Sequence, residues 1–256
     1  MSKYLDIFKF NLKSKLNFKI NYIVSLFSFT IHILVFNTLW DFILKDKTVL
    51  GYTKPDLIWY IIIGELIIYT TSNNYKKISQ MIKSGDIANL LIKPISITKY
   101  ILAEELTCIV NFLVNLVFAC ILGVIIVGIP HISMVNLVLF IFSMLFGVSI
   151  LIGINISIGL LAFITEENEP FYLVLSKGVL ILVLTPLEFF PSIVQKILLC
   201  IPTTYVSYPA SKSFVHFNLE QNIKLIIFQI LFLLLVMIFN KLLNLKGVKN
   251  INVNGG

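Results

Sequence analysis

Long runs of apolar residues, separated by short lysine-bearing segments, most constrain how this chain can fold. A run of about 20 apolar residues crosses a hydrocarbon core of about 30 Å as a helix. Of the 256 residues, 58% are hydrophobic and 13% are charged, whereas about 25% of the residues of an average soluble domain are charged. The sequence therefore predicts an all-α integral membrane protein and excludes an ordinary soluble domain.

Six membrane-spanning helices in a single transmembrane domain, residues 1–256, account for these runs. The predicted spans are residues 20–40, 57–72, 101–127, 134–164, 171–187 and 222–240. Residues 1–19 carry apolar residues at helical spacing among five lysines, which predicts an N-terminal interfacial helix. The apolar run between Pro191 and Pro202 is too short to cross a bilayer. Residues 188–221 are therefore predicted to form an external re-entrant or interfacial region between the last two spans.

The distribution of lysines sets the predicted topology. All 20 basic residues are lysines, and 14 of them lie on the cytoplasmic side when both termini are placed in the cytoplasm. Cytoplasmic loops are enriched in basic residues, so this topology is favoured. Because lysines at the ends of spans meet anionic lipid headgroups, the net charge of +7 indicates membrane lipid and not nucleic acid as a partner. The lack of arginine is typical of an AT-rich bacterial genome, and we expect a multi-pass protein of the bacterial plasma membrane.

Residues 75–100 form a basic cytoplasmic loop with helical character between two predicted spans. A first short helix carries apolar residues on one face: Ile78, Met81 and Ile82. Gly85 can adopt the positive φ that ends this helix. Asp86 can cap a second short helix that carries Leu90 and Leu91, and Pro94 ends it because proline has no N–H to donate. The pattern fits both a structured docking element and an ordinary basic loop.

The sequence lacks the residue patterns of several kinds of site. A phosphate-binding loop requires a Gly-Lys pair, and none occurs, so any ATPase that drives this protein is expected to be a separate polypeptide. His32, His131 and His216 do not have metal-ligand spacing. The three cysteines match neither a metal site nor a disulfide framework. We therefore predict no catalytic residue, no metal site and no cofactor in this chain.

Two features inside the spans are candidates for function. Glu65 lies near the middle of the second span, where an ionisable group costs ~2.5–3.5 kcal/mol on insertion scales. It lines a substrate path or a subunit interface in one interpretation, and in the other it is protonated and donates a hydrogen bond to a neighbouring helix. Ser149, Gly153 and Ser157 recur every four residues in the fourth span. Such small residues let another helix approach closely, so they are a second candidate path or interface.

Two stretches resemble a known family of transport proteins. Gly85-Asp86-Ile87, followed by the residues from Leu90 to Ser96, is similar to the cytoplasmic signature of type-2 ABC exporter permeases, in the branch related to viologen exporters. A second stretch resembles the proline and aromatic pattern of the same branch: Pro186, Phe190, Pro191, Pro202, Tyr205, Tyr208 and Pro209. Lys93 stands where the family usually has arginine, and we attribute this difference to the lack of arginine in the whole chain.

The resemblance implies a permease subunit of an ATP-binding-cassette exporter. In such exporters two permease subunits, identical or homologous, work with two cytosolic ATPase subunits, which bind ATP and Mg²⁺. A short cytoplasmic coupling helix docks into a groove on the ATPase, and the spans then extrude a hydrophobic, drug-like, peptide or lipidic substrate. The implied coupling positions are Ile78, Met81, Ile82, Gly85, Asp86, Leu90, Leu91, Lys93 and Pro94.

Two other classes of function stay open on the residues alone. An ion-coupled secondary transporter or channel would need no ATPase, and Glu65 favours it, although the sequence shows no pair of similar halves. A membrane-embedded enzyme or an assembly scaffold is the third class, but no cluster of His, Asp or Glu on one face supports an enzyme. Dependence of transport on ATP distinguishes the exporter from the ion-coupled transporter.

Overall fold

The computed structural model describes residues 2–17, 19–45, 47–70, 74–86, 100, 103, 107–130, 132–165 and 167–249. Within these ranges the regular structure is helical, with one isolated backbone bridge between Val49 and Tyr52. We number the helices in chain order: α1 (Ser2–Asn17), α2 (Lys19–Leu44), α3 (Lys54–Thr70), α4 (Asn74–Lys83), α5 (Thr107–Val127), α6 (Met134–Leu160), α7 (Glu169–Leu184), α8 (Ser192–Leu198), α9 (Thr204–Val215) and α10 (Leu219–Lys249). Short 3₁₀ helices follow α6 at Leu161–Phe163 and α7 at Leu187–Phe189.

The longest helices coincide with predicted spans. Among the described residues, three helices are long and apolar enough to cross a bilayer: Ile23–Leu44, Met134–Phe163 and Leu219–Gly247. Phe112–Val127 in α5 is a shorter apolar helix. Helices α3 and α7 contain only 17 and 16 residues, which is roughly 25 Å at 1.5 Å per residue. The chain is an all-α membrane protein, and the arrangement of six spans stays a prediction.

Helix α3 lies at the centre of the bundle. Every residue from 57 to 67 is buried, because α2, α5, α7 and α9 pack around this helix. A helix that is apolar on all sides is typical of such a position. Helix α2 is similarly apolar, yet only 11% of the residues in its most apolar stretch are buried. Most of α2 therefore lies at the periphery of the bundle.

Helix α6 is the second axis of the fold, and α9, α10 and α4 pack on it. Glycine is required in α6 at the two places where α9 and α4 cross this helix. A Cβ at Gly147 would lie 2.1 Å from the carbonyl oxygen of Val206 in α9. A Cβ at Gly159 would lie 2.7 Å from the Cβ of Ile78 in α4. Both approaches are too close for any larger residue without movement of the neighbouring helix.

The chain between α7 and α10 forms a short peripheral helix and then a helix that returns into the bundle. The sequence predicts that the apolar run between Pro191 and Pro202 is re-entrant or interfacial, and this run contains α8, in which no residue is buried. The element packed inside the bundle is α9, where residues 203–211 are all buried. Small side chains allow this packing: Ser211 Oγ donates a 3.0 Å hydrogen bond to the carbonyl of Tyr60 in α3.

Pro209 lies inside α9 and removes one hydrogen bond of that helix. The carbonyl of Tyr205, four residues earlier, instead accepts a 2.9 Å hydrogen bond from Gln229 Nε2 in α10. Gln229 is held in turn by Ser143 of α6, whose Oγ donates to Gln229 Oε1 at 2.9 Å. Gln229 thus joins α6, α9 and α10 at the place where the proline would leave a buried carbonyl unpaired.

Candidate functional site

Helix α4, which carries several of the predicted coupling residues, is fixed to the bundle by apolar and polar contacts. The Tyr75 ring stacks on that of Tyr172 in α7, with centroids 4.0 Å apart and planes 17° from parallel. Ser79 Oγ donates a 2.9 Å hydrogen bond to Asn168 Oδ1. Asn168 Nδ2 donates in turn to the carbonyl of Ile158 in α6 at 2.7 Å. These contacts tie α4 to both α6 and α7.

Ile78 is one of the coupling positions that the resemblance implies, and the structure buries this side chain in its own chain. Ile78 is 4% exposed and lies against Gly159. Ile82 also packs on the core, and Met81 is half-buried. At Ile78 the apolar face of α4 therefore packs on α6, which the hydropathy of α4 alone does not reveal. The coupling role of Ile78 stays a prediction.

The opposite, polar edge of α4 lines an open cleft of about 570 Å³. The cleft lies between α4 and the start of α7, and Lys76, Lys83, Glu167 and Glu169 contribute charged side chains to it. Lys76 Nζ lies 3.0 Å from Glu169 Oε1, and the hydrogen bond and charge of Glu169 raise the pKa of Lys76. Both side chains are more than half exposed, so this ion pair contributes little to stability. The edge is suited to contact a polar partner.

Gly85 ends α4 as the sequence predicts. Its φ is +78°, and its N–H donates a 3.2 Å hydrogen bond to the carbonyl of Ile82. Just after the helix, Ser84 Oγ donates to Asp86 Oδ2 at 2.6 Å. The second short helix that Asp86 is predicted to cap lies outside the described residues, together with four of the predicted coupling positions: Leu90, Leu91, Lys93 and Pro94.

Glu65 pairs with a histidine that the sequence analysis did not connect with it. Glu65 is 1% exposed, and its Oε1 lies 3.1 Å from His32 Nδ1 in α2. The other carboxyl oxygen, Oε2, is buried and has no hydrogen-bond partner in the part of the chain that the structure describes. The contact with α2 fits the interpretation in which Glu65 hydrogen-bonds to a neighbouring helix. The pair also places two titratable groups together inside the bundle, which fits the interpretation in which Glu65 lines a substrate path or a subunit interface.

We expect Glu65→Gln to retain the packing and the contact with His32 but to lower the transport rate roughly tenfold, an increase of about 1.4 kcal/mol in the activation free energy. Glutamine has nearly the same size and hydrogen-bonding reach, but it cannot ionise. The measurement is substrate uptake into inside-out vesicles, with the yield of monodisperse protein as the readout of assembly. Thr70→Val is the matched control, because Thr70 bonds only to the carbonyl of Leu66 in its own helix. Unchanged transport in Glu65→Gln would exclude a role of ionisation.

Two of the three small residues of the α6 row, Gly153 and Ser157, pack against another helix of this chain. Ser157 Oγ donates to Asn240 Oδ1 at 2.7 Å, and Asn240 Nδ2 donates to the Gly153 carbonyl at 2.9 Å. A Cβ at Gly153 would lie 2.6 Å from Val236 Cγ1. Ser149 bonds only to its own helix. Gly153 and Ser157 therefore face α10 of the same chain. A substrate path or subunit interface at this row stays a prediction.

At the end of the bundle opposite α4, four residues form what we call the Glu188 cluster: Tyr52, Glu188, Tyr208 and Lys212. Glu188 Oε1 accepts hydrogen bonds from Lys212 Nζ and, at 3.0 Å, from the Tyr208 hydroxyl. Glu188 Oε2 accepts a 3.0 Å hydrogen bond from the Tyr52 hydroxyl. The side chains of Lys212 and Glu188 are only 12% and 29% exposed. The cluster joins the loop before α3, the 3₁₀ helix after α7, and α9.

Charge and burial act in opposite directions on the Glu188 cluster. Burial tends to raise the pKa of Glu188, but the hydrogen bond and charge of Lys212 outweigh it, and the pKa of this carboxyl is lowered. Burial and the Glu188 carboxylate raise the pKa of Tyr52 and of Tyr208 far above the ordinary value. At neutral pH the cluster therefore contains one carboxylate that accepts from three donors.

Almost the whole sequence matches one described family. Residues 17–255 match the family described as "ABC-2 family transporter protein". This chain belongs to the ABC-2 transporter family. As a member of that family it is a membrane-embedded permease subunit of an ABC transporter, and its partner is an ABC ATPase. A comparison with curated proteins gave no match.

In this ABC-2 permease the proline and aromatic positions shape the segment between α7 and α10. Pro186 and Pro191 precede the 3₁₀ helix and α8 as their N-terminal caps. The carbonyl of Phe190 accepts a 2.8 Å hydrogen bond from Gln195 Nε2. Pro202 lies in the turn before α9. The Tyr205 hydroxyl bonds to a carbonyl just after α8 at 3.1 Å, Tyr208 belongs to the Glu188 cluster, and Pro209 is inside α9.

A sequence signal for the Glu188 cluster exists in the ABC-2 permease. Glu188 is the sole acidic residue between positions 170 and 219. Glu65 is a candidate for function because it is an isolated acidic residue in a long apolar stretch. Glu188 has the same property and could have been found in the same way. Its partners are less evident, because nothing in the spacing points to Tyr52, 136 residues earlier in the chain. No group of three or more potential metal ligands lies together among the described residues.

Proposed function

We propose that this permease exports a hydrophobic, drug-like, peptide or lipidic substrate out of a bacterial cell. Two copies of a separate cytosolic ATPase bind ATP with Mg²⁺ and supply the energy. A second permease subunit, identical or homologous, completes the transporter, and both termini and α4 lie on the cytoplasmic side. Membership of the ABC-2 family supports the permease and its ATPase, and the resemblance to the viologen-exporter branch supports the outward direction.

The packing of α4 is the observation that carries this proposal. Its apolar face is held against α6 at Gly159 and against α7 through the Tyr75–Tyr172 stack. Its polar edge lines an open cleft with lysine side chains. A partner that displaces this edge would therefore act on α6 through the packed face of α4 and on α7 through the Tyr75–Tyr172 stack. The coupling role of Ile78 is then to transmit force inside the permease, while the ATPase contacts the polar edge and the loop that follows it.

The middle of α2 supports a second subunit or a water-filled path beside this chain. His32 is 49% exposed there, on a helix whose other exposed side chains are largely apolar, among them Ile31, Leu34 and Val35. A polar ring in contact with hydrocarbon is unfavourable, and ionisable groups in spans generally face protein or water. The flank of α2 that carries His32 is therefore assigned to the second permease subunit or to the transport path.

We expect Gly85→Pro to uncouple ATP hydrolysis from export. Proline fixes φ near −65° and cannot adopt the +78° of Gly85, so the chain would leave α4 in another direction. Transport should fall roughly tenfold or more, while ATP hydrolysis by the purified complex and membrane insertion are retained. The measurement compares ATP-dependent uptake into inside-out vesicles with phosphate release by the same complex.

Gly128→Pro is the matched control for this experiment. Gly128 also has a positive φ, of +90°, and its N–H also donates one backbone hydrogen bond, but it lies at the other end of the bundle. The control should retain both transport and hydrolysis. Equal transport by both variants and the unchanged protein would remove α4 from the coupling mechanism. Uptake that does not depend on ATP would reject the exporter itself.

The His32–Glu65 pair favours ion-coupled transport as the second candidate function. Two titratable side chains 3.1 Å apart inside a helix bundle form the kind of group that proton relays use. Such a transporter would accumulate substrate in vesicles when a pH gradient is imposed without ATP or an ATPase. Uptake that follows the gradient and is abolished in Glu65→Gln would establish this function in place of export.

A further inference from the structure

A pocket of about 160 Å³ lies between α3, α6 and α7 and has no role in the function proposed above. It forms because α6 and α7 make few contacts with each other, while α3 packs on both. Its wall is mostly aliphatic: Ile68, Leu151, Ile154, Leu175 and Val179. Because it involves the last turns of α6 and the first half of α7, it is located toward the end of the bundle that carries α4.

One polar side chain of α6 lines this pocket and has no hydrogen-bond partner among the described residues. Asn155 of α6 is 5% exposed and lines the pocket. Its side-chain amide makes no hydrogen bond within the described part of the chain. By contrast, the buried amides of Asn168 and Asn240 each bond to a backbone carbonyl of α6. A polar group in apolar surroundings is unfavourable without a hydrogen bond, so a ligand that bonds to Asn155 would remove this cost.

We propose that this pocket binds the apolar end of an amphiphile dissolved in the membrane, with a hydroxyl or carbonyl group of that molecule hydrogen-bonded to Asn155. An engineered apolar cavity of about 150 Å³ binds benzene, so the pocket accommodates a ring or a short alkyl chain and not a whole phospholipid. The ligand enters sideways between α6 and α7, where the contacts are few. The site does not depend on ATP-driven export and would serve either class of transporter.

The position of the pocket connects it to α4. Tyr172 forms part of the pocket wall, and the same ring stacks on Tyr75 at a centroid distance of 4.0 Å. A bound molecule therefore touches the side chain that holds α4 against α7. A molecule bound in the pocket is expected to stabilise the Tyr75–Tyr172 stack.

Photolabelling of the purified full-length protein in lipid nanodiscs tests the proposal. The probe is azi-octanol, an eight-carbon alcohol with a photoreactive diazirine, and the labelled residues are mapped by mass spectrometry. We expect saturable labelling within residues 151–158 or 172–179. Asn155→Leu, which keeps the volume and removes the hydrogen-bonding group, should reduce it several-fold. Ser176→Phe, which fills the pocket, should abolish it.

Leu173→Phe is the control for the pocket-filling variant. Leu173 is 49% exposed on the outer side of α7, so the added ring lies outside the pocket and saturable labelling should persist. Ser176 bonds only to the carbonyl of Leu173 in its own helix, so its replacement removes no hydrogen bond to another helix. Labelling that does not saturate, or that is equal in the unchanged protein, Asn155→Leu and Ser176→Phe, would overturn the proposal.

The same preparations identify the source of the ligand. A lipid that co-purifies with the unchanged protein and is lost from Ser176→Phe would identify the amphiphile as a bilayer lipid. Labelling that falls when the ATPase and ATP are added, without such a lipid, would identify it as a transported molecule. Both results support the pocket. Saturable labelling in a preparation that shows no ATP-dependent transport would reject export and leave the pocket in place.

Discussion

Gly147→Ala is expected to displace α9 from α6 and to lower the midpoint of thermal unfolding by on the order of 10 °C. The new Cβ would lie 2.1 Å from the carbonyl oxygen of Val206, and a backbone atom cannot rotate out of the way as a side chain can. Helix α9 must then shift, and overpacking of this kind costs about 1–3 kcal/mol. The shift also weakens the hydrogen bonds from Ser211 to Tyr60 and from Gln229 to α9, each worth about 1 kcal/mol.

Gly178→Ala provides the control, because a Cβ at Gly178 in α7 would have no atom within 4 Å. Alanine within a helix is more stable than glycine by roughly 0.5–1 kcal/mol, so this variant should unfold at the same temperature or slightly higher. Both variants are heated in one detergent, and the remaining monodisperse protein is measured by size-exclusion chromatography. Equal midpoints for the two variants would contradict the close packing of α9 on α6.

Lys212→Met is expected to lower the free energy of unfolding by about 3 kcal/mol at pH 7. The substitution keeps the aliphatic stem of the side chain and removes the charge that faces Glu188. The Glu188 carboxylate would then be largely buried without a countercharge, and among the described side chains the Tyr52 and Tyr208 hydroxyls would remain as its donors. Because this cluster joins the loop before α3 to α9, its loss should loosen the segment between α7 and α10.

The effect of Lys212→Met should depend on pH. Lys212 lowers the pKa of Glu188 in the folded protein below its ordinary value of 4.5. The stabilisation from this pair is therefore complete above pH 4.5 and is lost as the pH falls through the lower folded pKa. Without Lys212, burial raises the pKa of Glu188, and protonation at low pH removes the unpaired charge. The difference in unfolding midpoint between the two proteins should be largest near pH 7 and should shrink toward pH 4.

Lys224→Met is the control for charge removal at the same end of the molecule. Lys224 pairs with Glu220 one helical turn earlier, and the two side chains are 65% and 79% exposed. Exposed pairs contribute little to stability, so this variant should unfold like the unchanged protein at both pH values. A midpoint for Lys212→Met that equals that of Lys224→Met at pH 7 would show that the Glu188 cluster does not stabilise the fold.

Much of the helical content was predictable because long apolar runs leave few alternatives in a membrane, where each backbone group must bond within its own segment. The runs around α2 and α6 gave helices close to the predicted extent, whereas α10 begins three residues before the predicted span and ends nine residues after it. The end of α4 was also predictable, since Gly85 occupies the positive φ at which a helix stops. These are local properties, and each depends on residues that are neighbours in sequence.

The partners of the candidate site residues were not predictable. His32 and Glu65 lie on different helices, as do Glu188 and its donors Tyr208 and Lys212, and only the relative rotation of those helices brings the side chains together. In the row Ser149, Gly153 and Ser157, the last two residues lie where α10 of the same chain approaches closely. Spacing along one helix indicates that a face is shared and does not identify what covers it.

The sequence by itself determined that this is a helical membrane protein, where its long helices run, and which family signature it carries. Only the tertiary structure decided that α3 is central while α2 is peripheral, and that Ile78 faces α6. The physical reason is that lipid tails are as apolar as a protein interior. In water, hydropathy distinguishes the buried face of a helix from its exposed face. Within a bilayer both faces of a helix are apolar, so packing alone decides which face is buried.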